Sequence, residues 1–178
     1  MKQSKKIGID LDSTLNNLNE VWLDRYNKDY NDNLKYFKKW DATYDIKPEC
    51  GVKIYDYLKE PGFFYNLDIR PNAMNVVSLL SKKYDLYIVT AYQASTCVDK
   101  TNWVIKYLPS IDSKNIIFCN NKSVLNLDYL IDDGPHNILS FKQVGVIFDM
   151  EYNEHIPTNE KRFRVKNWGE VESLFARF

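Results

Sequence analysis

The sequence predicts an α/β fold, a doubly wound parallel sheet with a small helical cap inserted after the first strand. Two observations predict it. Short apolar runs, typical of buried parallel strands, alternate with helical patterns along most of the chain. The first two runs are about 70 residues apart, although a strand–helix–strand crossover needs only about 30. A chain of 178 residues has room for one such domain and an insertion.

Each predicted strand is an apolar run bounded by polar or turn residues. The five runs lie at residues 6–11, 84–90, 115–119, 128–132 and 144–149. Helices are predicted at residues 73–83, 96–107, 136–143 and 169–178. In the first of these, Met74, Val77 and Leu80 recur at helical spacing after Pro71, which is typical of a helix start.

The surplus segment is predicted to form a mostly helical cap over the carboxyl ends of the strands, where ligands bind in such sheets. Its first helix is indicated by an apolar stripe of Leu15, Leu18, Trp22 and Tyr26. A second helix is predicted between residues 48 and 58, before Pro61-Gly62 breaks the pattern. The predicted domains are a core of residues 1–14 and 71–178 and a cap of residues 15–70.

Composition excludes several classes of protein. The formal net charge is zero, which argues against a general nucleic-acid-binding protein. The cysteines form no CxxC pair and are interpreted as reduced thiols, so zinc is not expected: they are Cys50, Cys97 and Cys119. No run approaches the length of a membrane span, and the apolar stretch after residues 1–6 is too short for a signal peptide. We therefore expect a soluble cytoplasmic protein without stable binding to nucleic acid or membranes.

Chemistry-bearing side chains follow four of the predicted strands. Because the carboxyl ends of parallel strands meet at one edge of the sheet, these groups are expected to share one site. They are Asp10-x-Asp12-x-Thr14 after the first strand, Thr90-Ala91 after the second, Lys122 after the third and Asp132-Asp133 at the end of the fourth.

Two carboxylates at the end of a buried strand raise each other's pKa and reduce stability unless a cation or a catalytic role compensates. Phosphoryl transfer through an aspartyl-phosphate uses such a set. One carboxylate attacks phosphorus and a second exchanges protons with the leaving group and water. Mg²⁺ bridges phosphate and carboxylates, and a fixed cation with hydroxyl or N–H donors stabilises the phosphate oxygens.

Taken singly, each feature has an ordinary structural explanation. Asp10-x-Asp12 is a weak motif, and Thr90 could simply end a strand. Lys122 could be a solvated loop charge, and Asp132-Asp133 before Gly-Pro could be turn chemistry. The order of all four, each at a predicted strand end, favours the chemical interpretation.

These motifs resemble those of the haloacid dehalogenase superfamily phosphatases and, within them, the 5′(3′)-deoxyribonucleotidase family. "DLDSTL" is similar to the first motif, "IVTA" to the second, and "NNKSVLNLDYLIDDGP" to the third and fourth together. "FFYNLDIRPNA", residues 63–73, is similar to the stretch that joins cap to core. The resemblance spans most of the chain and is patchy at residues 15–60.

The resemblance implies a role for each strand-end group. Asp10 would be the nucleophile and Asp12 the general acid/base. Thr90, the Ala91 N–H and Lys122 would bind the phosphate. The family usually has Ser at the position of Ala91, so a backbone donor is retained there and a side-chain contact is not.

The resemblance also implies a Mg²⁺ site. The ligands would be Asp10, the backbone carbonyl of Asp12 and Asp133, with Asp132 supporting them by hydrogen bonding. The spacing of residues alone does not choose between Asp132 and Asp133 as the ligand.

The predicted substrate pocket lies at the junction of cap and core. It would consist of Leu18, where the family tends to have Phe, and Phe63, Phe64 and Tyr65. Most other cap aromatics are interpreted as the core of the cap. His136 and His155 are isolated in the sequence, and neither is predicted to be a catalytic base.

The predicted function is a Mg²⁺-dependent phosphomonoesterase acting on deoxyribonucleoside monophosphates. An alternative keeps the mechanism and changes the substrate to a sugar phosphate or to a nucleic-acid or protein phosphate, although a cap disfavours large substrates. A phospho-receiver signalling domain is disfavoured, because receivers carry their acidic pair near the start of the chain. The preferred base, the position of the phosphate and the formation of a homodimer stay open.

Overall fold

A computed structural model describes residues 4–178, which form a six-stranded parallel sheet with helices between the strands. The strand order is β3-β2-β1-β4-β5-β6, and every neighbouring pair is parallel. The strands are β1 (Lys6–Ile9), β2 (Asp85–Thr90), β3 (Ile116–Phe118), β4 (Tyr129–Asp132), β5 (Val144–Phe148) and β6 (Arg162–Val165). The predicted α/β class is therefore confirmed.

Within the described residues, four of the α-helices lie in connections between strands and the fifth follows β6, while 3₁₀ turns fill several of the loops. They are α1 (Leu18–Tyr30), α2 (Ala73–Leu80), α3 (Cys97–Tyr107), α4 (Pro135–Ser140) and α5 (Trp168–Phe175). α4 begins with Pro135, whose missing N–H is one that a first helical turn leaves unpaired in any case. α5 is capped by Asn167, whose side chain accepts from the Glu170 N–H. None of the helices within residues 4–178 is long and apolar enough to cross a membrane.

The five predicted strands are present, with ends that differ by a few residues. The sixth strand, β6, is an edge strand of sequence RFRV that was not predicted. It has one neighbouring strand, β5, and three of its four residues are only partly buried. Without a continuous apolar run, it lacked the signal by which the other strands were recognised.

The segment between β1 and β2 contains α1, a 3₁₀ turn at Ala42–Tyr44 and a 3₁₀ helix at Gly51–Lys59. The second helix predicted there is therefore 3₁₀ rather than α. In α1 the predicted stripe is buried at Leu18, Trp22 and Tyr26. Leu15 precedes the helix, because its N–H bonds the Leu11 carbonyl in a tight turn after β1.

The two ends of this inserted segment lie side by side. Asn16 and Ile69 form an antiparallel bridge. The Arg70 N–H donates to the Leu15 carbonyl at 2.8 Å, and the Asn17 N–H donates to the Asp68 carbonyl at 3.1 Å. The chain therefore leaves the sheet and returns to it through one short ladder.

The strand order reverses at β1, which lies between β2 and β4. The connection after β1 leads to β2 on one side, and the connection after β4 leads to β5 on the other side. The loops after β1 and β4 therefore part and leave a crevice at the carboxyl ends of these strands. The inserted segment begins at this crevice, because it follows β1 directly.

Candidate active site

A cavity of about 520 Å³ lies at the carboxyl ends of β1 and β4, between the core and the inserted segment. The core side of its wall includes the predicted chemical groups Asp10, Asp12, Ala91, Lys122, Asp132 and Asp133. The structure thus brings together groups that are up to 123 positions apart in sequence (133 − 10). A cavity of this volume is within the range of small-ligand sites.

The loop after β1 holds two carboxylates in different settings. The Asp10 N–H continues the sheet by donating to the Ile131 carbonyl at 2.8 Å, and its side chain is buried. Asp12 is partly exposed. Ser13 then adopts a left-handed backbone conformation with φ of 61°, which turns the chain back on itself.

Asn16 fixes this turn through its side chain. Its Oδ1 accepts from the Ser13 N–H at 2.9 Å and from the Leu18 N–H at 3.1 Å, and its Nδ2 donates to Asp12 Oδ1 at 3.3 Å. Short polar side chains of this kind commonly organise such turns. Asp12 is therefore held by a residue of its own loop.

Lys122 lies in a 3₁₀ turn that begins after Asn121, whose side chain accepts from the Ser123 N–H. Its Nζ is buried, forms an ion pair with Asp10 and lies 2.6 Å from Asp132 Oδ2. Burial alone would lower the pKa of Lys122, but the charges of Asp10 and Asp132 outweigh it and raise the pKa above its ordinary value. Lys122 is therefore a fixed cation between the ends of β1 and β4.

Burial raises the pKa of Asp10 well above its ordinary value, and only Lys122 among the nearby charges opposes this effect. Burial and the neighbouring Asp132 raise the pKa of Asp133 to about 6, against hydrogen bonds from Tyr152 and Thr14. Buried carboxylates in this condition are stabilised by a cation. One lysine among three buried carboxylates leaves a local excess of negative charge.

Asp132 and Asp133 have different partners. Asp132 Oδ1 accepts from the Gly134 N–H at 2.7 Å and from Asn137 Nδ2 at 3.1 Å, while its Oδ2 accepts from Lys122 and Asn137. Asp133 Oδ1 accepts from the Thr14 hydroxyl at 2.9 Å, and its Oδ2 accepts from the Tyr152 hydroxyl. Asp132 is thus the more fully hydrogen-bonded carboxylate.

The three buried carboxylates fit a hard divalent cation. Asp10, Asp132 and Asp133 each offer one oxygen, and these oxygens lie within 4.8 Å of one another. An all-oxygen set suits Mg²⁺, Ca²⁺ or Mn²⁺ rather than zinc, which favours nitrogen and sulfur. The donors present therefore agree with the predicted type of metal.

The end of β2 contributes two residues to the site. Thr90 is fully buried, and Ala91 is exposed and lines the cavity. A second buried lysine, Lys100 of α3, meets them there. Its Nζ lies 2.6 Å from Asp12 Oδ2, 3.1 Å from Thr90 Oγ1 and 3.4 Å from the Ala91 carbonyl oxygen.

Lys100 is a site residue that was not predicted from the sequence. A signal was nevertheless present, because Lys100 precedes Trp103 and Val104 by three and four residues. It therefore lies on the same buried face of α3 as those two apolar residues. A lysine on the apolar face of a helix is rarely buried unless it is paired.

The inserted segment forms the other wall of the cavity. Leu18 lines it, and its role in binding substrate stays a prediction. The remaining apolar lining comes from Trp22, Phe37, Trp40, Ala42, Tyr55 and Leu58. Several of these were assigned in the sequence to the core of the cap.

Phe63, Phe64 and Tyr65 do not form part of the cavity wall. Phe63 and Phe64 are buried, with ring centres 5.6 Å apart, and Tyr65 is exposed, with the Lys106 Nζ over its ring. The ring of Phe64 instead faces Lys100, whose Nζ is 4.5 Å from its centre. A direct role of these three residues in binding substrate stays a prediction that the cavity does not support.

Three aromatic residues at the cavity were also not predicted. Trp40 of the inserted segment contacts His136 and Tyr152 of the core, with ring centres 4.9 and 5.4 Å apart. Tyr152 donates to Asp133 and accepts from Asn19 Nδ2 at 3.0 Å. These contacts connect the inserted segment to the acidic cluster.

Residues 4–178 match the model of the family described as 5′ nucleotidase, deoxy (pyrimidine), cytosolic type C. The chain is 45% identical over 171 residues to a 5′(3′)-deoxyribonucleotidase of Clostridium acetobutylicum, covering 94% of this chain and 93% of the relative. It is 34% identical over 174 residues to a 5′(3′)-deoxyribonucleotidase of Bacillus subtilis, covering 94% of this chain and 96% of the relative.

Solved structures of similar fold are haloacid dehalogenase-like hydrolases. One from Streptococcus pneumoniae has a TM-score of 0.65 at 16% identity and covers 98% of this chain and 100% of its own. Another, a hydrolase of this type from Bacillus subtilis bound to magnesium, has a TM-score of 0.59 at 15% identity, covering 98% of this chain and 100% of its own. The fold is similar to that of haloacid dehalogenase-like hydrolases, and the sequence matches show that the chain belongs to the 5′(3′)-deoxyribonucleotidase family.

Proposed function

We propose that this hydrolase is a Mg²⁺-dependent phosphomonoesterase that acts on deoxyribonucleoside monophosphates through a phosphorylated Asp10. The observation that carries the proposal is the pairing of two carboxylates in one loop with two buried lysines. Lys122 contacts Asp10, and Lys100 contacts Asp12. The names of the relatives supply the class of substrate.

In the first step, an oxygen of Asp10 attacks phosphorus as the ester P–O bond breaks. Asp12 gives its proton to the departing sugar oxygen, so that a neutral deoxynucleoside leaves. Lys122 orients Asp10 and places a positive charge beside the phosphate oxygens. The Thr90 hydroxyl and the Ala91 N–H lie at the neighbouring strand end and are assigned to the same phosphate.

In the second step, Asp12 is a carboxylate and takes a proton from water. The water oxygen attacks phosphorus, the bond from phosphorus to Asp10 breaks, and inorganic phosphate leaves. Both steps need Asp12 on the side of the phosphate opposite Asp10. Its position two residues further along a tight turn, in a more exposed setting, agrees with that requirement.

Mg²⁺ would neutralise part of the charge on the phosphate and on the acidic cluster, and so allow an anion to approach Asp10. Asp10 and Asp133 are the proposed side-chain ligands, with the Asp12 carbonyl as a third. Asp132 is assigned a supporting role, because its oxygens already accept from Lys122, Gly134 and Asn137. Asp133 is held by two hydroxyl donors, which leave lone pairs on both of its oxygens.

The nucleoside would occupy the part of the cavity between the core and residues 15–70, which we propose to act as the substrate cap. The indole of Trp40 offers the base an aromatic surface beside the acidic cluster. Stacking of this kind tolerates different bases. The family description names pyrimidine deoxynucleotides, and we propose these as the first substrates to test.

A phosphate-release assay tests the proposal. Deoxynucleoside monophosphates, ribonucleoside monophosphates and sugar phosphates are compared at equal concentration, with Mg²⁺ and with excess EDTA. We expect the highest kcat/KM on a deoxynucleoside monophosphate and no turnover in EDTA. A higher kcat/KM on a sugar phosphate, or full activity in EDTA, would contradict the proposal.

A further inference from the structure

We propose that Lys100 is a positioning residue for the proton transfer by Asp12, and that Phe64 holds Lys100 in place. The inference rests on the proposed function, because it assigns Lys100 a task in that reaction. Lys100 is placed by three hydrogen bonds and one aromatic contact, all to residues at the ends of β1 and β2 or at the end of the inserted segment.

The hydrogen bonds of Lys100 account for all of its donors. An ammonium group has three N–H bonds and no acceptor. Its three partners are Asp12 Oδ2, Thr90 Oγ1 and the Ala91 carbonyl. Lys100 therefore has no hydrogen to spare for the phosphate, whereas its contacts fix two groups that would touch the substrate.

Asp12 is held at both carboxylate oxygens. Oδ2 accepts from Lys100 at 2.6 Å, and Oδ1 accepts from Asn16 at the longer distance of 3.3 Å. A general acid transfers its proton only when it is within hydrogen-bond reach of the leaving oxygen. The hydrogen bond from Lys100 to Oδ2 fixes the plane of the carboxylate. Oδ1, the more weakly bonded oxygen, is then available to exchange a proton with the oxygen of the leaving group.

Lys100 also sets the direction of the Thr90 hydroxyl. Because Lys100 donates to Thr90 Oγ1, the hydroxyl hydrogen of Thr90 must point to another acceptor. Among the described residues this hydroxyl donates to Asp12 Oδ2, at the long distance of 3.4 Å. A phosphate oxygen at the end of β2 would be a better acceptor, so Lys100 turns Thr90 into a donor toward the phosphate.

Phe64 contacts the ammonium group of Lys100 and helps to hold it in position. The Lys100 Nζ lies 4.5 Å from the centre of the buried Phe64 ring, a favourable cation–π distance. The Gly62 N–H donates to Asp99 Oδ2 at 2.7 Å, which ties the same turn to α3 one residue before Lys100. The end of the inserted segment therefore packs onto the lysine that contacts Asp12.

Stability alone does not explain a lysine here. A buried ion pair is commonly no more stable than a well-packed apolar pair of similar volume. Methionine matches the length of the Lys100 side chain and its apolar stem, so Lys100→Met is expected to fold, with Asp12 keeping its Asn16 contact and its partial exposure. A loss of activity confined to substrates whose leaving group needs a proton would then show that Lys100 acts in the proton transfer.

The test compares two leaving groups. A nucleoside leaves as an alkoxide and needs a proton from Asp12, whereas p-nitrophenolate leaves without one. The measured quantity is kcat/KM, because it reports the steps up to the first departure of a leaving group. For Lys100→Met we expect about a 10²-fold loss on dUMP, the low end of the usual value of a general acid. On p-nitrophenyl phosphate we expect kcat/KM to fall by no more than about tenfold, because only the hydrogen bond from Thr90 to the phosphate would be lost.

Two further variants accompany it. Phe64→Leu should also lower kcat/KM on dUMP more than on p-nitrophenyl phosphate, by a smaller factor than Lys100→Met. This variant tests the inference even if Lys100→Met fails to fold. Lys106→Met is the matched control, because Lys106 is an exposed lysine of the same helix. It should leave both substrates unchanged.

Equal losses on both substrates in Lys100→Met and in Phe64→Leu would overturn the inference, and so would wild-type kcat/KM on dUMP in Lys100→Met. A wild-type enzyme that releases phosphate from neither ester would overturn the proposed function, and the inference with it. An active wild type with an unaffected Lys100→Met would overturn the inference alone.

Discussion

The indole of Trp40 lies edge-on to the imidazole of His136, with ring centres 4.9 Å apart. Trp40 belongs to the segment inserted after β1, and His136 belongs to the first turn of α4 in the core. Both line the cavity. The pair therefore closes one side of the site with aromatic surface that comes from both parts of the chain.

The first prediction concerns this aromatic wall. Trp40→Ala should lower kcat/KM on dUMP by about 5- to 150-fold, because one stacked base contributes roughly 1–3 kcal/mol. Activity on p-nitrophenyl phosphate, which has no base, should change by less than about threefold. Tyr44→Ala, at an exposed aromatic residue of the same segment outside the cavity wall, serves as the control. Equal losses on both substrates in Trp40→Ala would show that Trp40 supports the fold and not the base.

The second prediction concerns the nucleophile. Asp10→Asn should abolish turnover, because the amide cannot attack phosphorus, and it should fold, because the side chain keeps its shape. Asp12→Asn should lower kcat/KM on dUMP by about 10²-fold or more. Steady-state assays and thermal unfolding check the two properties separately. Near-wild-type activity in Asp10→Asn would exclude the proposed intermediate.

The third prediction separates the two carboxylates at the end of β4. Asp133→Asn should weaken Mg²⁺ binding more than Asp132→Asn does, because Asp132 already accepts from Lys122 and from Gly134. Titration calorimetry with MgCl₂ measures both affinities, and a Mg²⁺-induced rise in Tm provides a second readout. If Asp132→Asn weakens Mg²⁺ binding more than Asp133→Asn does, Asp132 is the metal ligand and Asp133 the supporting residue.

The fourth prediction concerns Tyr152, whose hydroxyl lies between Asp133 and Asn19. Tyr152→Phe removes a donor that orients the proposed ligand, and such supporting hydrogen bonds contribute about 10- to 100-fold to metal affinity. We expect a loss in that range in the same titration. Tyr129→Phe is the control, since the Tyr129 hydroxyl contacts Lys5 and does not contact the acidic cluster. An unchanged affinity in Tyr152→Phe would mean that Thr14 alone orients Asp133.

The parts of the fold that the sequence predicts are those with a local signal. β1 and β2 are apolar runs, and the groups that follow them reach one site because parallel strands end at one edge. β6 lacks such a run: Arg162 and Arg164 make up half of it, and Arg164 pairs with Asp149. The segment at Gly51–Lys59 has helical spacing without enough length to separate a 3₁₀ from an α-helix by periodicity.

The candidate site likewise contains residues that the sequence predicts and residues that it does not. Asp10, Asp12, Lys122 and the aspartate pair carry short motifs, and the structure brings them together. Which aromatic rings face the cavity depends instead on tertiary packing. Trp40 lies in a stretch without periodic pattern, whereas Phe64, which the sequence places in the pocket, lies under Lys100.

The bridge between Asn16 and Ile69 has a consequence for how this chain can be altered. The free energy of closing a loop grows only with the logarithm of its length, so a long excursion whose ends are already paired costs the sheet little more than a short hairpin would. We therefore expect that a different segment between the same two anchor residues would leave the sheet and its strand-end carboxylates in place and present them to a different molecule, provided that it supplies a contact for Lys100 in place of Phe64.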